Sequence, residues 1–488
     1  MRTSAALVSA ALLASGLLLV PRTASAQAAP EKPETLGVGD WQLRPLAEIR
    51  TRGELRHDAP DQGGTDGFGR AGARVRDAWA VHTRARLGLG VERGPVRGQI
   101  TLQDTRIWGG PAAATTFGAS GTGAYEAYLE ARTSAARPWF VRVGRQAVVW
   151  GEGRLLGAAD WSPTGRSLDA VRGRLTVGPI GVEALGAILA SPAPSGASYG
   201  DAFGAPHTGT QLFGGLVDWT VDPLLKLEAY FLGRVARGDG GTPDGSRLGA
   251  ARSLGETYTG ALRVSGDAKG WRYGAEGAYQ LGTATALGAG GADVSAWAAY
   301  AHVGRRFDEL VLTPTIQIGG LYASGDDRGA KYKQFDPLLP DPFTYGAYDA
   351  FGFSNHVGGN ARVTVSPWSD ATLGADYRYA RLANGAGEWI NGYVQGVGSP
   401  GGPGALIVSP PPNPVTVSEE LGHEIDAFVT VRPWAPLELQ GGWSAVFYGD
   451  GAKAILATYR RGFERGDGTI QAPNLGQLVY LSAKLRLP

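Results

Sequence analysis

Hydrophobic and polar residues alternate with a period of two along most of the chain. In Thr83-Arg84-Ala85-Arg86-Leu87-Gly88-Leu89-Gly90-Val91, one face carries Thr, Ala, Leu, Leu and Val, and the other carries the two arginines and two glycines. Tyr125 to Arg132 puts Glu126, Tyr128, Glu130 and Arg132 on one side. From Trp271 onward, Trp271, Tyr273, Ala275, Gly277 and Tyr279 oppose Arg272, Gly274, Glu276, Ala278 and Gln280. Near the end, Leu437, Leu439, Gly441, Trp443, Ala445 and Phe447 alternate with Glu438, Gln440, Gly442 and Ser444. Successive side chains of a β-strand point to opposite faces, so each segment predicts a strand with one apolar and one polar face.

The connections alternate too. Short turn-forming links recur at Arg93-Gly94-Pro95, Gly178-Pro179-Ile180-Gly181, Val221-Asp222-Pro223, Gly266 to Gly270, Ser366 to Asp370 and Arg432 to Pro436. Between them lie long Gly/Pro/Ser/Asp-rich stretches such as Arg237 to Gly255, Ser324 to Gly352 and Ala383 to Thr416. Strands laid between these punctuators number about 18, from Trp41 to Leu487, with short turns on one side and long loops on the other. The predicted fold is all-β: a transmembrane antiparallel up-and-down barrel with periplasmic turns and extracellular loops. Trp139, Trp219, Trp271, Trp368 and Trp434 fall at or beside short turns, and Trp297 belongs to the opposite rim. Those are the two levels at which amphipathic rings meet a bilayer's interfaces. A soluble sandwich also alternates, but strands of roughly ten residues with strict short–long connections are not its habit. In hydrocarbon an open strand edge leaves backbone groups unpaired, so the sheet is expected to close.

Composition changes this picture little. Residues 1–26 read as a cleavable secretion signal, with Arg2, an apolar run from Ala5 to Val20, and small residues Ala24-Ser25-Ala26 at the cut. Residues 27–40 are then a short periplasmic segment and residues 41–488 the barrel. No later segment offers the roughly 20 continuous apolar residues of a membrane helix. There are 76 glycines without a G-X-Y period, 13 tryptophans, no cysteine and a net charge of +1, so the placement of charge matters more than its sum.

If the apolar rows face lipid, parity points Arg84, Arg86, Arg132 and Arg142 into the lumen. Arg172, Arg174, Arg263, Arg362 and Arg378 join them, with Lys226, Lys484 and Arg486 as further candidates. Clustered guanidinium groups between low-dielectric walls concentrate anions. The same faces carry Glu126, Glu130, Glu228 and Glu276, and then Asp376, Glu424, Asp426 and Glu438. Arg–acid ladders that neutralise one another are the rival reading, and selectivity for anions then depends on which arginines stay free. Catalytic signals are poor. The six histidines have no H-x-x-x-H spacing, and Gly196-Ala197-Ser198-Tyr199-Gly200 follows Ser191-Pro192-Ala193-Pro194 without the strand–helix setting of a nucleophile elbow. Asp326 and Asp327 form a weak calcium candidate, for which a plain polar turn is the simpler reading. No cofactor is expected, and the chain is not expected to be an enzyme.

Three stretches resemble the alginate export family of outer-membrane barrels. Gly144-Arg145-Gln146, Trp150-Gly151-Glu152-Gly153-Arg154-Leu155-Leu156-Gly157, Asp160-Trp161 and Arg166-Ser167-Leu168-Asp169-Ala170 form the first. The second is Tyr322-Ala323-Ser324-Gly325-Asp326-Asp327 followed by Phe335-Asp336-Pro337-Leu338-Leu339-Pro340. Leu421-Gly422-His423-Glu424-Ile425-Asp426 is the third, and Gln103 to Trp108 with Tyr125 to Leu129 match in order. The resemblance implies an 18-stranded monomeric barrel with an arginine-rich constriction for a polyuronate chain. It also marks Arg106, Arg145, Arg154 and Arg166 as motif arginines, and Asp104, Glu126, Asp160 and Asp169 as motif acids. Trp150 to Arg166 is then a long outer loop whose charges reach the pore only if it folds inward.

The expected function is passive passage of an anionic polysaccharide such as alginate, or of smaller anionic solutes, through the outer membrane. A general porin for small nutrients and a barrel-borne adhesin or enzyme are the alternatives. Outer-membrane lipid, the anionic solute and periplasmic export or barrel-assembly proteins are the expected partners. Nucleic acid is not.

Overall fold

The computed structural model describes residues 35–58, 77–108, 121–133, 138–190, 209–237, 254–285, 292–327, 329–392, 396–398, 418–458, 463–464 and 470–487. The expected signal at 1–26 and the Gly196–Gly200 match lie outside them. Eighteen antiparallel strands make the wall. The first six are β1 (Trp41–His57), β2 (Asp77–Arg93), β3 (Val96–Trp108), β4 (Gly121–Thr133), β5 (Trp139–Gln146) and β6 (Leu168–Val177). They continue as β7 (Ile180–Ala190), β8 (Gly209–Asp222), β9 (Leu225–Arg237), β10 (Leu254–Ala268), β11 (Trp271–Thr285) and β12 (Ala292–Arg306). The last six are β13 (Thr315–Ala323), β14 (His356–Trp368), β15 (Ala371–Arg381), β16 (Glu420–Trp434), β17 (Leu437–Tyr448) and β18 (Leu475–Leu487). Each strand pairs with the next, and β1 pairs with β18 from Ala47↔Leu487 to His57↔Gln477, which closes the ring. A short strand, Leu36–Val38, folds back onto the start of β1.

Even-numbered strands run into short turns. Two residues join β10 to β11, and both, Lys269 and Gly270, have positive φ (55° and 77°), the backbone that matches the twist of a hairpin. The long connections all leave the other end, and one carries a helix, α1 (Asp450–Thr458). The short–long rhythm expected from the turn residues is therefore the architecture.

The faces are sided as expected. Leu87 is 64% exposed and its neighbour in parity, Leu129, is 69% exposed, whereas Arg84 is 1% and Arg86 8% exposed. Trp139, Trp219, Trp271, Trp368 and Trp434 are all exposed on the outer surface at the short-turn end. Trp297, stacked on Tyr322 with centroids 4.1 Å apart, lies towards the long-loop end. One departure has a physical cause. In the long-loop half, the inward rows of β6 to β13 are largely apolar, with Leu185, Ala187, Leu212, Leu232, Ala296 and Ala298 buried and Thr259 and Gln280 among the polar exceptions. They receive side chains from loops that fold into the barrel, so that stretch of wall has apolar residues on both faces.

Because Leu87 lies well inside β2, an arginine there would enter hydrocarbon. Leu87→Arg should destabilise the inserted barrel by about 2–4 kcal/mol, read from reversible folding into lipid vesicles. Arg86→Leu, which removes a lumen-side group, should leave insertion intact, and equal effects would contradict the sidedness.

Candidate functional site

Residues 147–167, between β5 and β6, turn into the lumen. Their anchors are both apolar and ionic. Trp150 is fully buried, its indole Nε1 donates to Glu183 on β7 (2.7 Å), and its ring meets the edge of Tyr230 on β9. At the opposite side of the loop, Arg50 on β1 donates to the backbone carbonyls of Asp160 and Ser162 (both 2.6 Å), and Arg52 donates to that of Trp161 (2.6 Å). The Arg52 guanidinium also lies over the Trp161 ring, 4.2 Å from its centroid. The Asp160 carboxylate meets Arg84 at 2.9 Å and Arg86 at 3.1 Å. Burial alone would raise the Asp160 pKa, but Arg84, Arg86 and Arg50 outweigh it and hold the group down at about 2.

A second infolded segment, residues 324–355, locks onto the first. Gly157 donates to the Leu339 carbonyl (2.8 Å), Leu339 to that of Leu155 (3.0 Å), and Asp341 to that of Gly153 (2.8 Å). Arg166 Nη1 donates to three carbonyls, those of Gly157, Leu339 and Pro340. Its role is thus to tie the two loops together. Arg154 is 4% exposed and stacks over Tyr300 at 3.4 Å, while its Nη2 holds Glu152 at 2.8 Å. Glu152 also receives Arg263 of β10 at 3.0 Å. Its carboxyl would be raised by burial but is drawn below the ordinary value by Arg154 and Arg263.

Each arginine expected on the polar rows has an acid beside it. Arg84 is held by Glu48 and Asp160, Arg132 by Glu92, and Arg142 by Glu130. Arg172 and Arg174 share Glu183, and Arg174 also reaches Asp218. Arg263 sits on Glu228, and Arg362 and Arg378 on Asp376, Arg378 also reaching Asp426. Lys226 pairs with Glu228, Lys484 with Glu438, and Arg486 with Glu48. Glu126 accepts from Gln99, inside the wall. The ladder reading therefore holds for the named arginines.

Other expected site residues point elsewhere. Asp104 and Arg106 pair at 2.9 Å with a parity shared by Ile100, Leu102 and Trp108, which is the outward row. Arg145 pairs with Asp169 at 3.0 Å, both in line with the exposed Val143 and Val171. These four charges neutralise each other in pairs on the barrel's outer surface near the loops, and Arg106, Arg145 and Asp104 do not line the pore. Asp327 pairs with Lys333 at 2.5 Å and accepts from the Gly329 amide, and Asp326 accepts from the Lys333 amide. That is a polar turn, and no acid–histidine group suited to a metal occurs among the described residues. Conversely, Arg50 and Arg52 were not anticipated, although Glu48, Arg50, Arg52, Glu54 and Arg56 alternate with Ile49, Thr51, Gly53 and Leu55 in plain sight.

Beneath the infolded loops lies a cavity of about 850 Å³. Nine cationic side chains and six acidic ones line it, along with His302 and His356. The imbalance arises because ion-pair partners sit at different depths. The Arg362 side chain is 39% exposed and its acid Asp376 3%, and Lys226 is 40% exposed and its acid Glu228 5%. At these two pairs the wall hides the carboxylate and shows the cation, whereas at Arg84–Glu48 and Lys484–Glu438 the acid is the more exposed partner.

Asp160 supplies a pH test of the loop anchor. A carboxylate ionises near pH 3.9 when unfolded, and here near 2, so its contribution is complete above about pH 4–5 and vanishes as pH falls through about 2. Asp160→Asn should abolish that acid transition and increase open-channel current noise at pH 7. Wild-type noise should be flat from pH 5 to 8.

The model of the alginate export family matches residues 47–407. No curated protein matches. Among solved structures, OpdL of Pseudomonas aeruginosa superposes with a TM-score of 0.51 at 11% identity, over 91% of this chain and 99% of that one. OpdK with vanillate, from the same organism, gives 0.50 at 10% identity, over 91% and 98%. OccK11 (OpdR), again from that organism, gives 0.50 at 10%, over 91% and 96%. At this identity the likeness is one of fold. A closed antiparallel barrel of eighteen strands, lipid-facing on its apolar rows, and a family match over most of its length together make this chain an outer-membrane barrel protein of the alginate export family.

Proposed function

We propose that the mature chain, from residue 27 onward after removal of a leader at 1–26, is a passive channel for carboxylate-bearing solutes and works as a monomer. The observation that carries this is the depth ordering of charge around the cavity, with Lys226 and Arg362 in front and Glu228 and Asp376 behind. A solute beside Lys226 or Arg362 meets the ammonium or guanidinium group before its acid. Low-dielectric walls focus their field, and the planar guanidinium fork fits a carboxylate. Nothing among the described residues couples the pore to an energy source, so flux follows the gradient. Both a polyuronate, as the family's name suggests, and a small carboxylate such as the vanillate held by OpdK satisfy this charge requirement.

Reversal of the front charges tests the reading. Planar-bilayer recordings in a tenfold KCl gradient should show preference for chloride in the wild type. The double substitution Lys226→Glu and Arg362→Glu should reverse the sign of the zero-current potential. Arg106→Gln and Arg145→Gln, on the outer surface, should leave it unchanged. A wild-type channel without preference between the two ions would remove the basis of the proposal.

A further inference from the structure

The apolar outer face does not stop at the short-turn ends of β12 and β13. Eight residues, 307–314, join these strands, where two residues join β10 to β11. Among them Leu310, Val311 and Leu312 are 52%, 89% and 45% exposed. The backbone holds them in place. The Leu310 N–H donates to the Phe307 carbonyl (3.3 Å), that of Thr313 to the Leu310 carbonyl (3.0 Å), and that of Phe307 to the Pro314 carbonyl (2.9 Å). Leu312 and Thr313 take positive φ (70° and 40°), a conformation that costs a branched residue such as threonine energy. The Ser366 N–H on β14 donates to the Leu312 carbonyl (2.8 Å), so hydrogen bonding between these neighbours runs on past the first residue of β13. The tip therefore keeps to the line of the wall, and none of residues 307–314 lines the cavity.

A cation stands beside this tip. Arg305 shares the outward row of β12 with Trp297 and Val303. Its guanidinium lies 5.2 Å from the ring centroid of Trp271 and 5.0 Å from that of Phe307. Arg106 and Arg145, which also face outward, are each paired with an acid. Arg305 is paired with none among the described residues, and the neighbouring Asp308 is taken by Arg306 at 2.6 Å. Trp271 is one of the tryptophans exposed at the short-turn end, which is the level of the lipid headgroups on the periplasmic side.

We propose that the turn is a membrane anchor: Leu310, Val311 and Leu312 enter the inner leaflet of the outer membrane, and Arg305, between Trp271 and Phe307, binds the phosphate of an anionic phospholipid. Two observations on separate residues favour lipid as the occupant. The tip continues the lipid-facing rows, with Val303 on β12 and Ile316 and Ile318 on β13 directly behind it. An unpaired guanidinium at headgroup depth calls for an anion, and a phosphodiester offers two oxygens that fit its fork. A knob for docking a periplasmic protein would also be aliphatic, but it would leave Arg305, on the lipid side of the wall, without a counter-charge. The anchor does not depend on what the channel carries.

The chain has no cysteine, so a single label can be placed on the full protein. Val311→Cys and, in the two-residue turn between β14 and β15, Ser369→Cys would each carry a nitrobenzoxadiazole dye. Both would be studied in nanodiscs of phosphatidylethanolamine and phosphatidylglycerol, whose two faces meet solvent. Lipids spin-labelled high on the acyl chain should quench the dye at 311, and iodide should quench it several times less than the dye at 369. Phosphatidylglycerol would also be titrated onto the full chain in detergent and read by native mass spectrometry. Arg305→Gln should bind it about fivefold more weakly than wild type, the effect of losing one basic residue at an anionic bilayer surface. Arg106→Gln should bind as wild type does. The assignment is overturned if iodide reaches residue 311 as freely as residue 369, since the tip then stands in water as a protein-docking knob would. Wild-type affinity in Arg305→Gln, a variant of an exposed side chain whose folding is checked by heat-modifiable gel migration, overturns it as well.

Discussion

Hydrocarbon offers no hydrogen bonds, and that single fact organises the molecule. Every backbone N–H and C=O of the spanning strands must be paired within the sheet, and an exposed edge in lipid would leave groups costing several kcal/mol each. The β1–β18 ladder removes the last edge. Once the sheet is a tube, each strand has one row in lipid and one in the lumen, which fixes where Leu87 and Arg84 go without any further interaction. Eighteen strands also enclose more space than wall side chains fill, since a ring of about 8 is already filled by its own side chains. Loops 147–167 and 324–355 occupy that space, and the apolar inward rows of β6 to β13 exist to receive them.

Charges brought inward with the loops follow the rules of buried ions. An isolated guanidinium behind a protein wall is costly, so each must meet a carboxylate or carbonyls. Arg50 uses carbonyls, and Arg84 and Arg86 use Asp160. Wall and loop thereby depend on each other: Glu48 of the wall answers Arg84, and Asp160 of the loop adds the counter-charge that Arg84 and Arg86 share. The same logic explains Arg166, whose three carbonyl partners belong to two loops.

Much of this was legible in the residues. Period two, the turn punctuation and the tryptophans near short turns gave strand count, sidedness and girdles, because a membrane barrel's local pattern is its tertiary pattern. Parity also held the answer for Asp104 and Arg106, which share a row with Ile100, Leu102 and Trp108. The motif resemblance points the other way for Arg106, Arg145 and Asp104, which pair outward as Asp104–Arg106 and Arg145–Asp169. A slip in register between β3 and β4 at Thr101/Leu102 leaves Tyr125 unpaired and reaches Arg86 with its ring at 3.4 Å, a contact that alternation alone cannot give. The infolding of the loops was not legible, because it depends on contacts such as Arg166 to Leu339 between segments 173 residues apart.

Net charge was the least informative property and charge depth is the most informative. In a chain of net charge +1, nine cationic and six acidic side chains line the cavity, and some of the pairs have the cation in front of its acid. In the pair Arg362–Asp376 the acid is at 3% exposure and its partner at 39%. The reason lies in side-chain length. A carboxylate on a short stem stays near the strand, while arginine and lysine stems extend past it and lay their apolar carbons along the wall. An inward pair in which nothing covers the longer side chain therefore turns its positive end towards the axis, as Arg362–Asp376 and Lys226–Glu228 do, whereas Arg84, covered by residue 160, does not. A cation-faced lumen then needs pairing between long bases and short acids, and it does not need an excess of arginine in the sequence.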